Sequence, residues 1–109
     1  MKKLLTCLII LTAVSSAYAK TGKEVYESTC IACHGKDGKG AVPGAANFTD
    51  EKGPMSKKDD ELLKHIINGY QTPGSPMAMP AKGGNPTITD EEAKSVLQYI
   101  RDTFAPKKK

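Results

Sequence analysis

Histidine and cysteine are scarce in this 109-residue chain, with two and three copies, and tryptophan is absent. Each shortage excludes something. A structural zinc site takes four nitrogen or sulfur ligands. Beyond Cys30, Cys33 and His34 the body of the chain offers only His65, and there is no second Cys-x-x-Cys. A thioredoxin-like thiol pair belongs in a βαβ setting, and no alternating apolar strand flanks these cysteines. The apolar run from Leu4 to Val14 falls short of the roughly twenty residues that span a bilayer as a helix. No basic block is long enough to read as a nucleic-acid arm. Lys107, Lys108 and Lys109 read as a solvated, frayed end with some capacity to steer an acidic partner or an anionic surface. Internal repeats and low-complexity linkers are missing as well.

The N-terminus gives an address. Lys2 and Lys3 precede the apolar run, and Ala17-Tyr18-Ala19 follows it as a small-x-small cleavage site. Residues 1–19 therefore read as a secretory signal peptide and residues 20–109 as one exported domain, expected in the periplasm. An uncleaved membrane anchor is the alternative. Cys7 lies in the leader and departs with it, so both remaining cysteines are Cys30 and Cys33. Removal of the leader also removes two lysines and leaves fourteen basic against twelve acidic residues, a net charge of +2. A ninety-residue chain buries only about 60% or a little more of its unfolded surface. Its own core is thin, and a covalently held apolar group at the centre would thicken it.

The residues that are present point to such a group. Cys30-Ile31-Ala32-Cys33-His34 reads C-x-x-C-H, the attachment signature for a c-type haem. Two thiols two residues apart can each add to one of the two haem vinyl groups, giving two thioethers to one haem. The histidine that follows is then held under the iron. Neutral imidazole is a common iron ligand, and its second nitrogen can be fixed by a hydrogen bond.

Three helices are expected around this motif. The first begins at Thr21, where Thr21 and Glu24 fit a capping box, and carries Gly22, Tyr26 and Cys30 along one face. Tyr26 reads as ordinary core. The second runs from Ser56 to Asn68, with Leu62, Leu63, Ile66 and Ile67 as its apolar stripe and Gly69 as its stop. His65 falls on the opposite side as a solvated surface histidine. The third opens on the Thr89 and Glu92 capping box, carries Ala93, Val96, Leu97, Ile100 and Phe104, and ends before Pro106. Between them lie two Gly/Pro-rich loops, Gly35 to Met55 and Tyr70 to Ile88, neither of them strand-like. Loops this long in so short a chain are expected to wrap something. The fold class is all-α: three to four helices and their loops wrapped around one covalent haem.

The second loop holds Met77 and Met79 among Pro73, Pro76 and Pro80. A thioether is a soft iron ligand, and His/Met ligation raises the reduction potential. The prolines stiffen the backbone, so a ligand there moves little when the iron changes charge. In extended chain the two methionines point to opposite sides, so only one can reach the iron. Met79, immediately before Pro80, is the expected ligand, and Met77 is its competitor.

At this point the chain resembles the class I monohaem cytochromes c of bacteria. The likeness covers nearly all of the exported domain. It includes Gly22, Tyr26, Cys30 to Gly35, Met79-Pro80, Asp90-Glu91-Glu92 and Tyr99-Ile100-Arg101. It implies His34 as proximal ligand, Met79 as distal ligand, and the Pro43 carbonyl as partner of the other His34 nitrogen. It also implies first and last helices crossing near Gly22. Without tryptophan, the tryptophan-to-propionate bond of some members has no counterpart. The second loop is similar to that of the cytochrome c5 group, but the extra cysteine pair common there is missing.

The function so implied is one-electron transfer between respiratory redox proteins, with transient docking of donor and acceptor to a monomer and no substrate transformed. One alternative is a haem subunit docked within an oxidase or dehydrogenase complex. Another is a haem enzyme or gas-binding protein, which would need an open iron position that the methionine loop argues against.

Overall fold

The computed structural model describes residues 19–107. The expected leader, apart from Ala19, and the last two lysines lie outside the described residues. Among those described there is no strand. The helices are α1 (Gly22–Val25), α2 (Ile31–His34), α3 (Asp59–Asn68) and α4 (Asp90–Phe104). Single 3-10 turns occupy Pro54–Ser56 and Ala81–Gly84.

The first helix starts where its capping box said. The Thr21 hydroxyl accepts from the Glu24 N–H, and the Glu24 side chain accepts from the Thr21 N–H. Between α1 and α2 lies a π-helical turn, Tyr26–Cys30, whose right-handed junctions keep the three pieces in one rod. Such turns carry an extra residue and gather at functional sites; this one ends on the first motif cysteine. No residue pattern in the chain announces it.

α4 has the same cap architecture as α1. Thr89 accepts from Glu92, Glu92 accepts from Thr89, and three carboxylates occupy the first turn, where they oppose the positive end of the helix dipole. Ala93, Val96, Leu97 and Ile100 are buried, and Phe104 packs against them. Burial of each of Val96, Leu97 and Ile100 contributes about 1.5–3 kcal/mol. α1 and α4 cross at Gly22. A β-carbon there would press into the Ser95 carbonyl and come within 2.9 Å of Tyr99 Cβ. No other residue allows the backbones to approach so closely.

α3 corrects an expectation. It begins at Asp59 and not at Ser56, and no side chain caps it. The Ser56 hydroxyl is committed to the Gly53 carbonyl at 2.6 Å and closes the preceding 3-10 turn. Lys57 and Lys58 then run extended. Arg101 of α4 holds this entry in place. Its guanidinium donates to the carbonyls of Met55 at 2.9 Å and Lys57 at 2.7 Å, and to the Asp59 carboxylate. At its other end α3 stops on Gly69, as expected.

His65 also departs from the reading of a free surface side chain. It is half-buried, and its ring lies on Tyr70 at 3.9 Å between centroids and 14° from parallel. The Lys57 ammonium sits over the same tyrosine, 5.1 Å from its centroid. Tyr70 follows the helix stop directly, so the chain folds back and lays its ring against the preceding turn.

Candidate functional site

The motif residues share the end of the first helical rod. Cys30 is half-buried and Cys33 exposed, and both are free thiols. Burial, then the neighbouring Cys33 charge, push the Cys30 thiol up to about 11.

The loop after α2 closes over the motif's own carbonyls. A helix end leaves its last carbonyls unpaired unless something caps them. Here the Cys33 carbonyl accepts from Ala41 N–H at 2.8 Å, and the His34 carbonyl from Gly40 N–H at 2.8 Å. The Gly35 carbonyl accepts from Gly38 N–H at 3.2 Å and from the Tyr26 hydroxyl at 2.6 Å. Gly35 makes this reversal at φ 85° and ψ 162°, a region reserved for glycine. The first loop therefore fixes the backbone that presents His34.

The His34 ring is half-buried and stacks on Phe48 at 4.4 Å and 25°. Burial holds its pKa below the usual histidine value, partly offset by a hydrogen bond to the Ala46 carbonyl. A carbonyl can only accept, so Nδ1 carries the proton toward Ala46, at 3.4 Å. Nε2 then keeps its lone pair for a metal. The partner is thus Ala46, where the family resemblance implied Pro43. Pro43 is exposed and occupies the middle of a turn closed by Ala45 N–H on the Val42 carbonyl at 3.2 Å. The chain reaches the ring only after that turn.

The second loop brings Met79 in on a strap. Met79 N–H donates to the Tyr70 carbonyl at 2.7 Å, and Tyr70 N–H donates to the Met79 carbonyl at 3.0 Å. This two-way bridge ties Met79 to the end of α3. The following turn, Ala81–Gly84, lies against Thr29, the residue before Cys30, so closely that a β-carbon on Gly83 would come within 2.7 Å of Thr29 Cγ2. The strap thus reaches the rod that carries the motif. Met79 is half-buried, whereas Met77 is 52% exposed. The two methionines differ in surroundings as extended backbone requires.

This donor set fits a covalent haem. Two free thiols lie on adjacent turns, a neutral imidazole keeps one nitrogen free, and a thioether sits on a stiff, backbone-clamped strap. Cys30, Cys33, His34 and Met79 are the residues that could hold it. Sequence reasoning missed the contributions of Phe48, Ala46 and the Tyr26 hydroxyl. All three depend on where the loop folds back.

Comparison with known proteins agrees with the chemistry. Residues 17–100 match the family model described as cytochrome C oxidase, cbb3-type, subunit III. Cytochrome c-555 of Chlorobaculum thiosulfatiphilum is 32% identical over 82 residues, covering 75% of this chain and 92% of the relative. Cytochrome c-555 of Prosthecochloris aestuarii is 33% identical, covering 72% and 81%. The cbb3-type cytochrome c oxidase subunit CcoP of Rhodobacter capsulatus is 28% identical over 85 residues, covering 77% of this chain but 29% of the longer subunit. With the C-x-x-C-H rod, the methionine strap and the crossed α1 and α4, these matches establish that the chain belongs to the class I monohaem c-type cytochromes, whose cofactor is one covalently bound haem c.

Proposed function

We propose that this protein is an exported electron shuttle that passes one electron at a time between redox proteins and transforms no substrate. Its single most telling feature is the pairing of a capped C-x-x-C-H rod with a backbone-clamped methionine strap. Bound haem supplies a one-electron Fe(II)/Fe(III) couple. Cys30 and Cys33 would hold the group by thioethers and keep it from being lost outside the cytoplasm. His34 Nε2, with Nδ1 anchored on Ala46, would be one protein ligand to the iron. The Met79 thioether would be the second. Phe48, buried beside the His34 ring, keeps water from that side. The Tyr70 bridge and the flanking prolines hold the Met79 backbone in place.

The leader is cleaved after Ala19, and the mature domain works in the periplasm as a monomer that docks transiently. The high coverage of the small c-555 relatives supports a free carrier. The match to part of a longer oxidase subunit supports the second reading, a docked wire within a complex. No helix among the described residues is long and apolar enough to cross a membrane. Copurification after mild extraction separates these two readings.

The test of the shuttle begins with the native protein. Denaturing electrophoresis with a haem stain should show covalent haem at the mass of residues 20–109. Cys30→Ala with Cys33→Ala should abolish the stain. The reduced native protein should bind carbon monoxide poorly, and rapid binding would favour a haem enzyme or gas-binding protein instead.

A further inference from the structure

Tyr26 is more than packing. Its ring is 1% exposed and lies between Tyr99 at 5.5 Å and Phe104 at 5.2 Å, both from the α4 side. Its N–H bonds back to Gly22 and Lys23, which fixes its root at the junction of α1 and the π turn. From there the hydroxyl crosses nine residues of sequence to the Gly35 carbonyl at 2.6 Å. Burial pushes this phenol up to about 12. It stays a donor at any physiological pH.

The other bonds around the motif differ in kind. Those to the Cys33 and His34 carbonyls and the second bond to Gly35 all come from the following loop, residues 38–42. That loop meets α4 through packing alone, with Gly38 against the Phe104 ring. The Tyr26 bond instead joins the motif's last turn to the helix pair α1 and α4, whose crossing at Gly22 has no slack. We infer that Tyr26 is a positioning residue for the iron site: its hydroxyl locks the Gly35 carbonyl to the crossed helices and so sets the direction in which His34 is presented. This rests on His34 holding the haem, as proposed above.

The hydroxyl has an electrostatic effect as well. Its positive end meets the Gly35 oxygen one residue from the ligand. Without it, that carbonyl keeps only the longer Gly38 bond, and the local potential turns more negative. A more negative surrounding favours Fe(III).

Tyr26→Phe removes one oxygen and keeps the ring. Tyr99→Phe is the control, because no hydrogen bond of the Tyr99 hydroxyl is found among the described residues and its ring belongs to the same cluster. Both variants should carry covalent haem at the wild-type level. Tyr26→Phe should show a lower reduction potential, a redistributed pattern of ferric haem-methyl NMR shifts, which report the axial ligand plane, and faster exchange of the Gly38 amide. Tyr99→Phe should match wild type in all three. An unchanged or raised potential in Tyr26→Phe, or an equal shift in Tyr99→Phe, overturns the inference. Should Tyr26→Phe fail to fold, a slowly exchanging Tyr26 hydroxyl proton close to Gly35 in wild type supports it and its absence overturns it. Wild-type protein without covalent haem overturns the underlying haem reading instead.

Discussion

Met77 and Met79 present the sharpest choice at the scale of single residues. They share one proline-bounded loop, but Met79 alone is tied by two backbone bonds to Tyr70, and Met77 is half out in solvent. Thioether coordination gives the oxidised protein a weak near-infrared charge-transfer band. Met79→Ala should abolish that band, lower the potential and open the iron to carbon monoxide. Met77→Ala should keep it. Loss of the band with Met77→Ala and its survival with Met79→Ala would falsify the assignment. That the two differ in surroundings was legible from extended-chain geometry. The Ala46 contact was not, because the turn at Val42 to Ala45 decides which carbonyl returns to His34, and spacing along the chain does not report that turn. Gly22 gives a second prediction at this scale. Gly22→Ala gains about 1 kcal/mol of helix propensity, yet its methyl must push into the Ser95 carbonyl. Overpacking of this kind costs about 1–3 kcal/mol, and at a backbone contact the clash wins. The melting temperature should fall; a rise would mean that α1 and α4 separate freely.

Among the elements, the N-terminus of α4 carries the clearest pH dependence. Glu92 accepts from the N–H groups of Thr89 and Lys20, both at 3.0 Å. Those bonds, that from Thr89 first, hold its carboxyl below the usual range. A depressed folded-state value means that this stabilisation is present above the ordinary Glu pKa and is lost as the pH falls through the depressed one. Glu92→Gln should lower the melting temperature at neutral pH and flatten its fall on acidification. With Lys20 as the first residue of the mature protein, as proposed above, its nitrogen is an α-ammonium and the bond becomes an ion pair. Acetylating that amine should then destabilise wild type and leave Glu92→Gln unmoved; equal losses in both would refute the pairing. The caps of α1 and α4 were legible in the sequence because a capping box is a local code. The start of α3 was not, since Ser56 has two possible uses and the Arg101 bonds from 44 and 46 residues away belong to the other one. His65 was misjudged for a related reason. Helix periodicity places it away from the apolar stripe, but the chain's return at Tyr70 covers it.

In the whole molecule, a few helices deliver a great deal of loop to one place. The α1 and α4 crossing supports the rod, the first loop caps its end, and the strap from α3 arrives beside Thr29. The all-α class and the haem motif could be read in advance because they rest on short patterns. The contacts by which the loops grip the site depend on long-range closure and needed coordinates. The central claim is that this assembly holds one covalent haem as a one-electron, six-coordinate carrier. Optical redox titration of the native protein tests it most directly. A one-electron carrier gives a single reversible wave of about 59 mV per tenfold change in the ratio of oxidised to reduced protein, with the methionine-to-iron band present at the oxidised end. The absence of a reversible haem wave, or a wave whose oxidised end lacks that band, would contradict it.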